Sequence, residues 1–355
     1  MPEILPVKLT SQLGFGTMSM TAWPSPPPIS ESVKTLIHVA SHYTNFFNGG
    51  EFYGAANANL KLLRQFLEEY LKIAEGGHGK RLVLSVKGAL DSKTFIPDGS
   101  KVSIDTSIAN VVSHLNDVRD KYPKDCRPLL LYQMARVDVR VPYTESIGYI
   151  YEHVKNGDID GISISETAAK TIEAAASVAP ISVAEVEFSL MVQDIRHNGV
   201  LDTCKRLAIP IIAYSPLGRG LLTKQCVQDP KRFLDSIPET DPRKLRKLDR
   251  YMPDNFYHNA KCLEALQKYA QEHHEADLEH LALGYIVKMS ALNSTNGEPS
   301  IIPIPSGSTI DKVERNFKTI LPLTDEDIDN IHKLLDTHTI KGLRYNTELE
   351  RMCFL

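Results

Sequence analysis

The stretch LVLSVKG, residues 82–88, decides the fold, because it is a short apolar run that ends in a lysine and a glycine. Similar runs recur along the whole chain, and segments with helical spacing lie between them. In one of these segments Leu60, Leu63 and Leu67 share a face that can cover a sheet. The runs predict eight strands, at residues 13–17, 44–47, 82–87, 129–134, 161–165, 181–188, 209–215 and 301–304. Eight strand-helix units predict a (β/α)8 TIM barrel, because a doubly wound sheet usually has fewer strands.

Composition limits the class of protein. The chain has 355 residues, 42% apolar and 24% charged, which predicts one domain over residues 1–355. We expect a long loop at about 218–257, and a C-terminal tail at about 337–355 that can fold over the barrel mouth. The net charge of -4 and the scattered basic residues argue against nucleic-acid binding. Without a bilayer-length apolar run or a secretory signal, a cytoplasmic protein with no membrane partner is expected, with nuclear entry left open.

Two strand ends carry residues suited to proton transfer. Tyr53 follows the second predicted strand in FFNGGEFYG, residues 46–54, and Lys87 ends the third. A phenol has a reference pKa of about 10, and an ammonium about 4 Å away stabilises the phenolate by up to about 4 kcal/mol at an effective dielectric of about 20. Lysine can therefore tune tyrosine to protonate a carbonyl oxygen while a nicotinamide delivers hydride. Taken singly, a tyrosine after a strand is more often a packed ring, and a lysine that ends a strand more often faces solvent.

Two further segments follow the seventh and eighth predicted strands. IPIPSGSTIDKVERN, residues 302–316, is a glycine-containing turn before a helix, at the place where barrels commonly bind phosphate. Lys312 and Asn316 share a face of that helix and can meet the adenosine end of a dinucleotide. In YSPLGRG, residues 214–220, Tyr214 offers a face for stacking a nicotinamide ring. Without any ligand, the first segment can be explained as an ordinary helix start, and the second as a tight turn.

The order of these motifs resembles the aldo-keto reductase family over nearly the whole chain. The matching pieces are LGFGTM, EFYG, VKG, LYQM, GISISE, AEVEFSL, YSPLGRG and IPIPSGS. The resemblance implies a (β/α)8 barrel, a cofactor that is usually NADPH held without a Rossmann domain, and reduction of aldehydes or ketones to alcohols. It assigns Tyr53 as general acid and Lys87 as its activator. The cofactor contacts that it implies are Gly16, Thr17, Ser165, Tyr214, Ser215, Leu217, Gly218, Gly307, Ser308, Lys312 and Asn316.

Two departures from the family pattern affect the expected chemistry. Asn48 stands where the family usually has an aspartate, so it can accept a hydrogen bond from Lys87 but carries no charge. We therefore expect an uncompensated ammonium and depressed pKa values for Lys87 and Tyr53. Ala135 stands where the family usually has a histidine, which opens space and leaves orientation of the substrate to other groups. Both changes also fit a barrel that binds cofactor without turnover.

ARVDVRVP, residues 135–142, and ISISE resemble the pyridoxal reductase branch of the family. This resemblance implies that pyridoxal is the aldehyde substrate, reduced to pyridoxine, with Arg136 and Glu166 as candidate neighbours. Arg136 could instead form an ion pair with Asp138 or Glu166. A broader carbonyl reductase and a non-catalytic NADPH-binding regulatory subunit remain alternatives, and the oligomeric state stays open.

Several positions in the cofactor pattern differ as well. Glu166 and Glu185 replace the family's Asn and Gln beside the carboxamide, so only Ser165 transfers directly. Thr309 stands where a basic residue is common, and Lys312 is the cation left to meet a 2'-phosphate. We expect NADPH rather than NADH. The histidines show neither HxH nor HExxH spacing, so no metal is predicted.

Overall fold

The computed structural model describes residues 3–4, 7–22, 24–90, 104–294 and 300–355. Strands β1 (Glu3–Ile4) and β2 (Val7–Lys8) form a short antiparallel hairpin. The eight strands that follow are parallel, and each is hydrogen-bonded to the next. They are β3 (Phe15–Gly16), β4 (Phe46–Gly50), β5 (Val83–Gly88), β6 (Leu129–Met134), β7 (Gly161–Ser165), β8 (Ile181–Glu187), β9 (Ile211–Tyr214) and β10 (Ile301–Pro303).

Helices lie between these strands and cover the outside of the sheet. The apolar stripe predicted from Leu60, Leu63 and Leu67 is fully buried on one of them. The helices are α1 (Ile29–His42), α2 (Ala58–Glu75), α3 (Ile104–Arg119), α4 (Tyr143–Lys155), α5 (Ala169–Val178), α6 (Val200–Arg206), α7 (Lys224–Gln228), α8 (Pro230–Ser236), α9 (Pro242–Leu245), α10 (Pro253–His274), α11 (Leu278–Asn293), α12 (Ile310–Phe317), α13 (Asp325–Thr337) and α14 (Thr347–Glu350). Short 3-10 helices cover Met18–Met20, Ala55–Asn57, Asp194–Arg196, Gly218–Gly220 and Asp249–Tyr251.

The first and last parallel strands meet and close the sheet into a barrel. The amide N–H of Gly14 donates to the carbonyl of Pro303 at 3.0 Å, and that of Gly16 donates to Pro305 at 3.1 Å. A Cβ atom at Gly16 would lie 3.1 Å from the carbonyl oxygen of Ile304, so glycine permits this close approach. The predicted (β/α)8 barrel is confirmed, and the single-domain organisation stays a prediction.

The barrel interior has an apolar layer and a polar layer. Near the amino ends of the strands, buried side chains of the sheet pack with Val7 and Leu9 of the N-terminal segment. The sheet residues of this layer are Phe46, Val83, Leu129, Leu131, Val183, Ile212, Ile302 and Ile304. Further along the strands the buried side chains become polar, as at Asn48, Lys87 and Glu185. The N-terminal hairpin therefore closes the bottom of the barrel, and the polar layer lies toward the carboxyl ends of the strands.

The long connection at residues 218–257 contains α7, α8 and α9, so it is built largely of short helices. The phenol of Tyr251 at its end donates to the carbonyl of Arg219 at 2.9 Å. The C-terminal tail lies at the carboxyl ends of the strands, where the amide N–H of Phe354 donates to the carbonyl of Glu166 at 2.7 Å. In the part of the chain that the structure describes, no helix combines the length and apolar content needed to cross a bilayer.

Candidate active site

Lys87 lies inside the barrel at the end of β5 and is clamped by two residues from other strands. Its Nζ donates to Oδ1 of Asn48 at 2.9 Å and forms a direct ion pair with Oε1 of Glu185. Nδ2 of Asn48 donates in turn to Oε2 of Glu185 at 2.6 Å. The three groups therefore form a closed triangle across β4, β5 and β8. The expectation that Asn48 leaves the ammonium uncompensated is wrong, because Glu185 supplies the negative charge.

The electrostatics of the site follow from burial and from this carboxylate. Burial lowers the pKa of Lys87, and the negative charge of Glu185 opposes that effect. Burial raises the pKa of the Tyr53 phenol well above its usual value, and Glu185 raises it further. The expected depression of the Tyr53 pKa is therefore wrong. The phenol is neutral and holds its proton at physiological pH.

Tyr53 lies on the loop after β4, beside the lysine. Lys87 Nζ is 5.7 Å from the centroid of the Tyr53 ring, which is 9% exposed. Asn59 of α2 holds the loop, since its Oδ1 accepts from the amide N–H of Gly50 at 3.0 Å and its Nδ2 donates to Thr17 at 3.1 Å. Thr17, a predicted cofactor contact, is fully buried, and its hydroxyl donates to the backbone of Asn48 at 2.8 Å. The structure thus gives Thr17 a bracing position under the loop.

The end of β7 carries one unsatisfied hydroxyl and one occupied carboxylate. Among the described residues, nothing hydrogen-bonds the buried Oγ of Ser165. Glu166 has a φ of +53°, is fully buried and forms an ion pair with Arg344 of the tail at 3.1 Å. Burial would raise the pKa of the Glu166 carboxyl, but Arg344 and Arg136 outweigh it and lower the pKa below its usual value. The carboxylate proposed as a substrate neighbour therefore anchors the C-terminal tail.

Arg136 and two tyrosines form a second cluster of polar side chains at this site. The guanidinium of Arg136 donates to the phenol of Tyr345 at 3.3 Å, and that phenol lies 2.9 Å from the phenol of Tyr214. Asp138, one expected partner of Arg136, is paired with Arg140. Arg136 is close enough to Tyr53 to lower its pKa, in opposition to burial and Glu185. Tyr345 therefore brings the tail to the predicted stacking residue and to the predicted substrate arginine.

The turn after β9 is backbone-strained. Ser215 and Arg219 have φ values of +51° and +55°, and Gly218 and Gly220 also have positive φ. The amide N–H groups of Gly218 and Gly220 donate to the carbonyls of Ser215 and Leu217 at 2.8 and 2.9 Å. Left-handed non-glycine residues cluster at functional sites, where the surrounding structure holds them.

The Arg219 side chain joins this strained turn to the end of β8 and to the C-terminal tail. Its guanidinium donates to Glu187 at 2.7 Å and to the carbonyl of Arg344 at 2.7 Å, and it lies 4.3 Å from the centroid of the Tyr345 ring. This turn and the tail are therefore held together.

The turn before α12 has the features of an anion-binding cradle. A Cβ atom at Gly307 would lie 3.1 Å from the amide nitrogen of Val313, so a side chain there would fill the space over the first turn of the helix. Nζ of Lys312 donates to the hydroxyl of Ser308 at 3.1 Å, and Asn316 donates to the carbonyl of Ser306 at 3.2 Å. The predicted residues are thus together at a helix N-terminus, where backbone N–H groups attract anions.

Sequence reasoning missed several residues of this site. The sequence pattern marks Glu185 only as a replacement for a glutamine of the family, and it gives no role to Asn59, Arg344 and Tyr345. The acidic residue inside the AEVEFSL run was a usable signal for Glu185, because a carboxylate on a buried strand needs a partner. No local pattern marks the tail residues. Within the described residues, no cluster of three or more His, Cys, Asp or Glu side chains could hold a metal ion.

A closed (β/α)8 barrel with a buried lysine and a tyrosine at its carboxyl end defines a class of oxidoreductase. The profile of the aldo/keto reductase family matches residues 12–336, and the chain belongs to that family. It is 36% identical to a Schizosaccharomyces pombe protein named "Probable pyridoxal reductase 2", over 95% of each chain. It is 34% identical to a Saccharomyces cerevisiae protein named as a candidate pyridoxal reductase, over 94% of this chain and 95% of that one. The glycerol dehydrogenase AKR11B4 from Gluconobacter oxydans has the same fold, with a TM-score of 0.72, 17% identity and 94% of each chain covered.

Proposed function

We propose that this protein reduces an aldehyde to an alcohol with NADPH, and that its substrate is pyridoxal, which becomes pyridoxine. The observation that carries the proposal is the position of the buried Lys87 ammonium, 5.7 Å from the ring centroid of the neutral Tyr53 phenol, at the carboxyl end of the barrel. Aldo/keto reductases are oxidoreductases, which agrees with this pair. The names of the two fungal relatives support pyridoxal as the aldehyde.

The residues around the pair fit NADPH. The unsatisfied Oγ of Ser165 is a partner for the nicotinamide carboxamide, and Tyr214 offers a ring face beside it. The turn at Gly307 and Ser308 leaves room for phosphate, and the exposed Lys312 supplies positive charge for a 2'-phosphate. When bound, NADPH supplies hydride to the carbonyl carbon. The remaining residues assigned to the cofactor are Gly16, Ser215, Leu217, Gly218 and Asn316, with Thr17 bracing them from below.

Tyr53 supplies the proton in this mechanism. Its O–H donates to the carbonyl oxygen of the substrate as negative charge develops there, and the phenolate that remains is stabilised by Lys87. Asn48 fixes the ammonium by accepting a hydrogen bond from one of its three N–H groups. Because burial keeps the phenol protonated, the acid is ready before the substrate arrives.

Arg136 and Tyr345 orient the aldehyde where Ala135 leaves space. Both carry hydrogen-bond donors near Tyr53, and the flat pyridoxal ring carries a phenolic oxygen and a ring nitrogen that can accept such bonds. Glu166 is left out of substrate binding in this proposal, because Arg344 occupies it. It acts by holding the tail that carries Tyr345.

Steady-state kinetics with pyridoxal, run separately with NADPH and NADH, test the proposal. We expect NADPH oxidation with pyridoxal, weaker use of NADH, and loss of turnover by about 10²-fold or more in Tyr53→Phe with nearly unchanged NADPH affinity. A panel of other aldehydes distinguishes a broader carbonyl reductase. NADPH binding without consumption of any aldehyde would favour the regulatory subunit.

A further inference from the structure

We infer that Glu185 is a positioning residue for the reaction, which provides from β8 the negative charge that holds Lys87 as an ammonium ion beside Tyr53. Asn48 is the neutral bridge between the two. This inference rests on the proposed reductase function, because it names the residue that supports the proton donor.

The geometry assigns both carboxylate oxygens of Glu185 to this role. Oε1 contacts Nζ of Lys87, and Oε2 accepts hydrogen bonds from Asn48 at 2.6 Å and from Gln133 at 2.9 Å. Glu185 is 1% exposed and Lys87 5% exposed, so water contributes little to either charge. Four strands thus converge on one carboxylate: β4, β5, β6 and β8.

The charge balance explains why this arrangement is required. A buried ammonium without a carboxylate partner is strongly disfavoured and would lose its proton. The other charged or titratable groups that face it are Tyr53, Arg136 and Tyr345. Arg136 is positive and the Tyr53 phenol is neutral, so neither of them replaces Glu185. The family pattern has its carboxylate at the position of Asn48 on β4. In this chain Glu185 on β8 provides the carboxylate instead.

The alternative is that Glu185 only fills the barrel core and keeps it folded. Glu185→Gln separates the two roles, because the amide keeps the shape and the hydrogen-bonding capacity of the carboxylate but not its charge. In the pair Asn48→Asp with Glu185→Gln, the carboxylate returns to β4 and the bond between the two side chains reverses its direction. Glu187→Gln is the matched control, since it neutralises a buried carboxylate on the same strand that pairs with Arg219 rather than Lys87.

The experiment measures kcat for pyridoxal with NADPH as a function of pH. Reduction requires Tyr53 to be protonated and Lys87 to be charged, so kcat falls as pH rises through the lower of their two pKa values. Removing the Glu185 charge lowers the pKa of Lys87, so the alkaline limb of Glu185→Gln should move down by at least about one pH unit, and kcat at pH 7 should fall at least about tenfold. The double variant should restore the limb and recover most of kcat. Glu187→Gln should leave the limb in place.

A second readout does not depend on turnover. In protein labelled with 13C at the lysine Cε atoms, with Lys87 assigned from Lys87→Met, the Lys87 signal should titrate at lower pH in Glu185→Gln than in the unchanged protein. An unmoved titration and an unmoved limb would overturn the inference, even if all variants reduce pyridoxal. A shifted titration in a protein that reduces no aldehyde would overturn the proposed function and leave the charge assignment standing.

Discussion

At the scale of single residues, Arg136 is the side chain that we propose orients the aldehyde. Its guanidinium donates to the phenol of Tyr345 and to the carbonyl of Ala135, so the orientation of this group is fixed before the substrate binds. We expect Arg136→Met to lower kcat/KM for pyridoxal by roughly tenfold to a hundredfold, about 1.5 to 3 kcal/mol for a lost charged hydrogen bond, mainly through KM. Steady-state kinetics measure this, with Arg140→Met on the exposed, Asp138-paired arginine as the control. A lower kcat at unchanged KM would indicate that Arg136 acts on the proton donor instead.

Lys312 is the residue expected to distinguish NADPH from NADH. It is exposed and already bonded to Ser308 at the edge of the cradle. Lys312→Met should weaken NADPH binding roughly fivefold, about 1 kcal/mol, and leave NADH binding unchanged, because only NADPH has the 2'-phosphate. Fluorescence titration with both cofactors measures the difference. Lys318→Met, on the exposed lysine paired with Glu314, is the control, and equal weakening of both cofactors would assign Lys312 elsewhere.

Residues of the site could be predicted when they end a recognisable run. Tyr53 and the turn at Gly307 each follow a strand, Lys87 lies at the end of one, and the structure places Lys87 Nζ 5.7 Å from the Tyr53 ring centroid. Glu185 and Tyr345 could not be predicted in the same way, because their roles depend on partners far away in the chain. Glu185 meets Asn48 137 positions away, and Tyr345 meets Tyr214 131 positions away. Such pairing follows from barrel closure and tail placement, which a single sequence does not specify.

At the scale of elements, the parallel strands were predictable because each is an apolar run buried on both faces. The bounds of the strands were harder to predict than their existence. β3 covers only Phe15–Gly16, and β9 begins at Ile211, directly after a proline. The hairpin of β1 and β2 was missed, because two-residue strands carry no alternation to detect. The short helices in the long connection were also missed, since their pattern covers less than two turns.

The C-terminal tail is the element whose attachment can be tested by pH. Arg344 joins Glu166 and Glu350, and Glu166→Gln breaks the fully buried pair. Since the folded-state pKa of Glu166 is lowered, its contribution to stability is full above the unfolded value of about 4.3 and is lost as pH falls through the folded pKa. We expect Glu166→Gln to lower the free energy of unfolding by about 3 kcal/mol at pH 7, with the gap narrowing below about pH 4.

Urea unfolding at several pH values measures this gap. Glu350→Gln provides the control, because its carboxylate pairs with the same arginine but is partly exposed, and its effect should stay under about 1 kcal/mol. A gap that is independent of pH would mean that Glu166 stabilises the tail through shape rather than charge.

At the scale of the whole molecule, stability and chemistry are divided along the barrel axis. The apolar layer and the N-terminal segment close one end, and the polar layer with Lys87 lies at the other. Leu9 is 1% exposed in the closing layer, so Leu9→Ala should lower the free energy of unfolding by about 2 to 5 kcal/mol through lost burial and a cavity. The same variant should keep kcat and KM for pyridoxal at 25 °C, because the triangle of Asn48, Lys87 and Glu185 spans β4, β5 and β8 above that layer. Urea unfolding and kinetics on one preparation measure both, with Leu245→Ala on a 68% exposed leucine as the control. A loss of kcat in parallel with stability would show that the two layers are coupled, since packing changes at the bottom would then reach Lys87 through the strands.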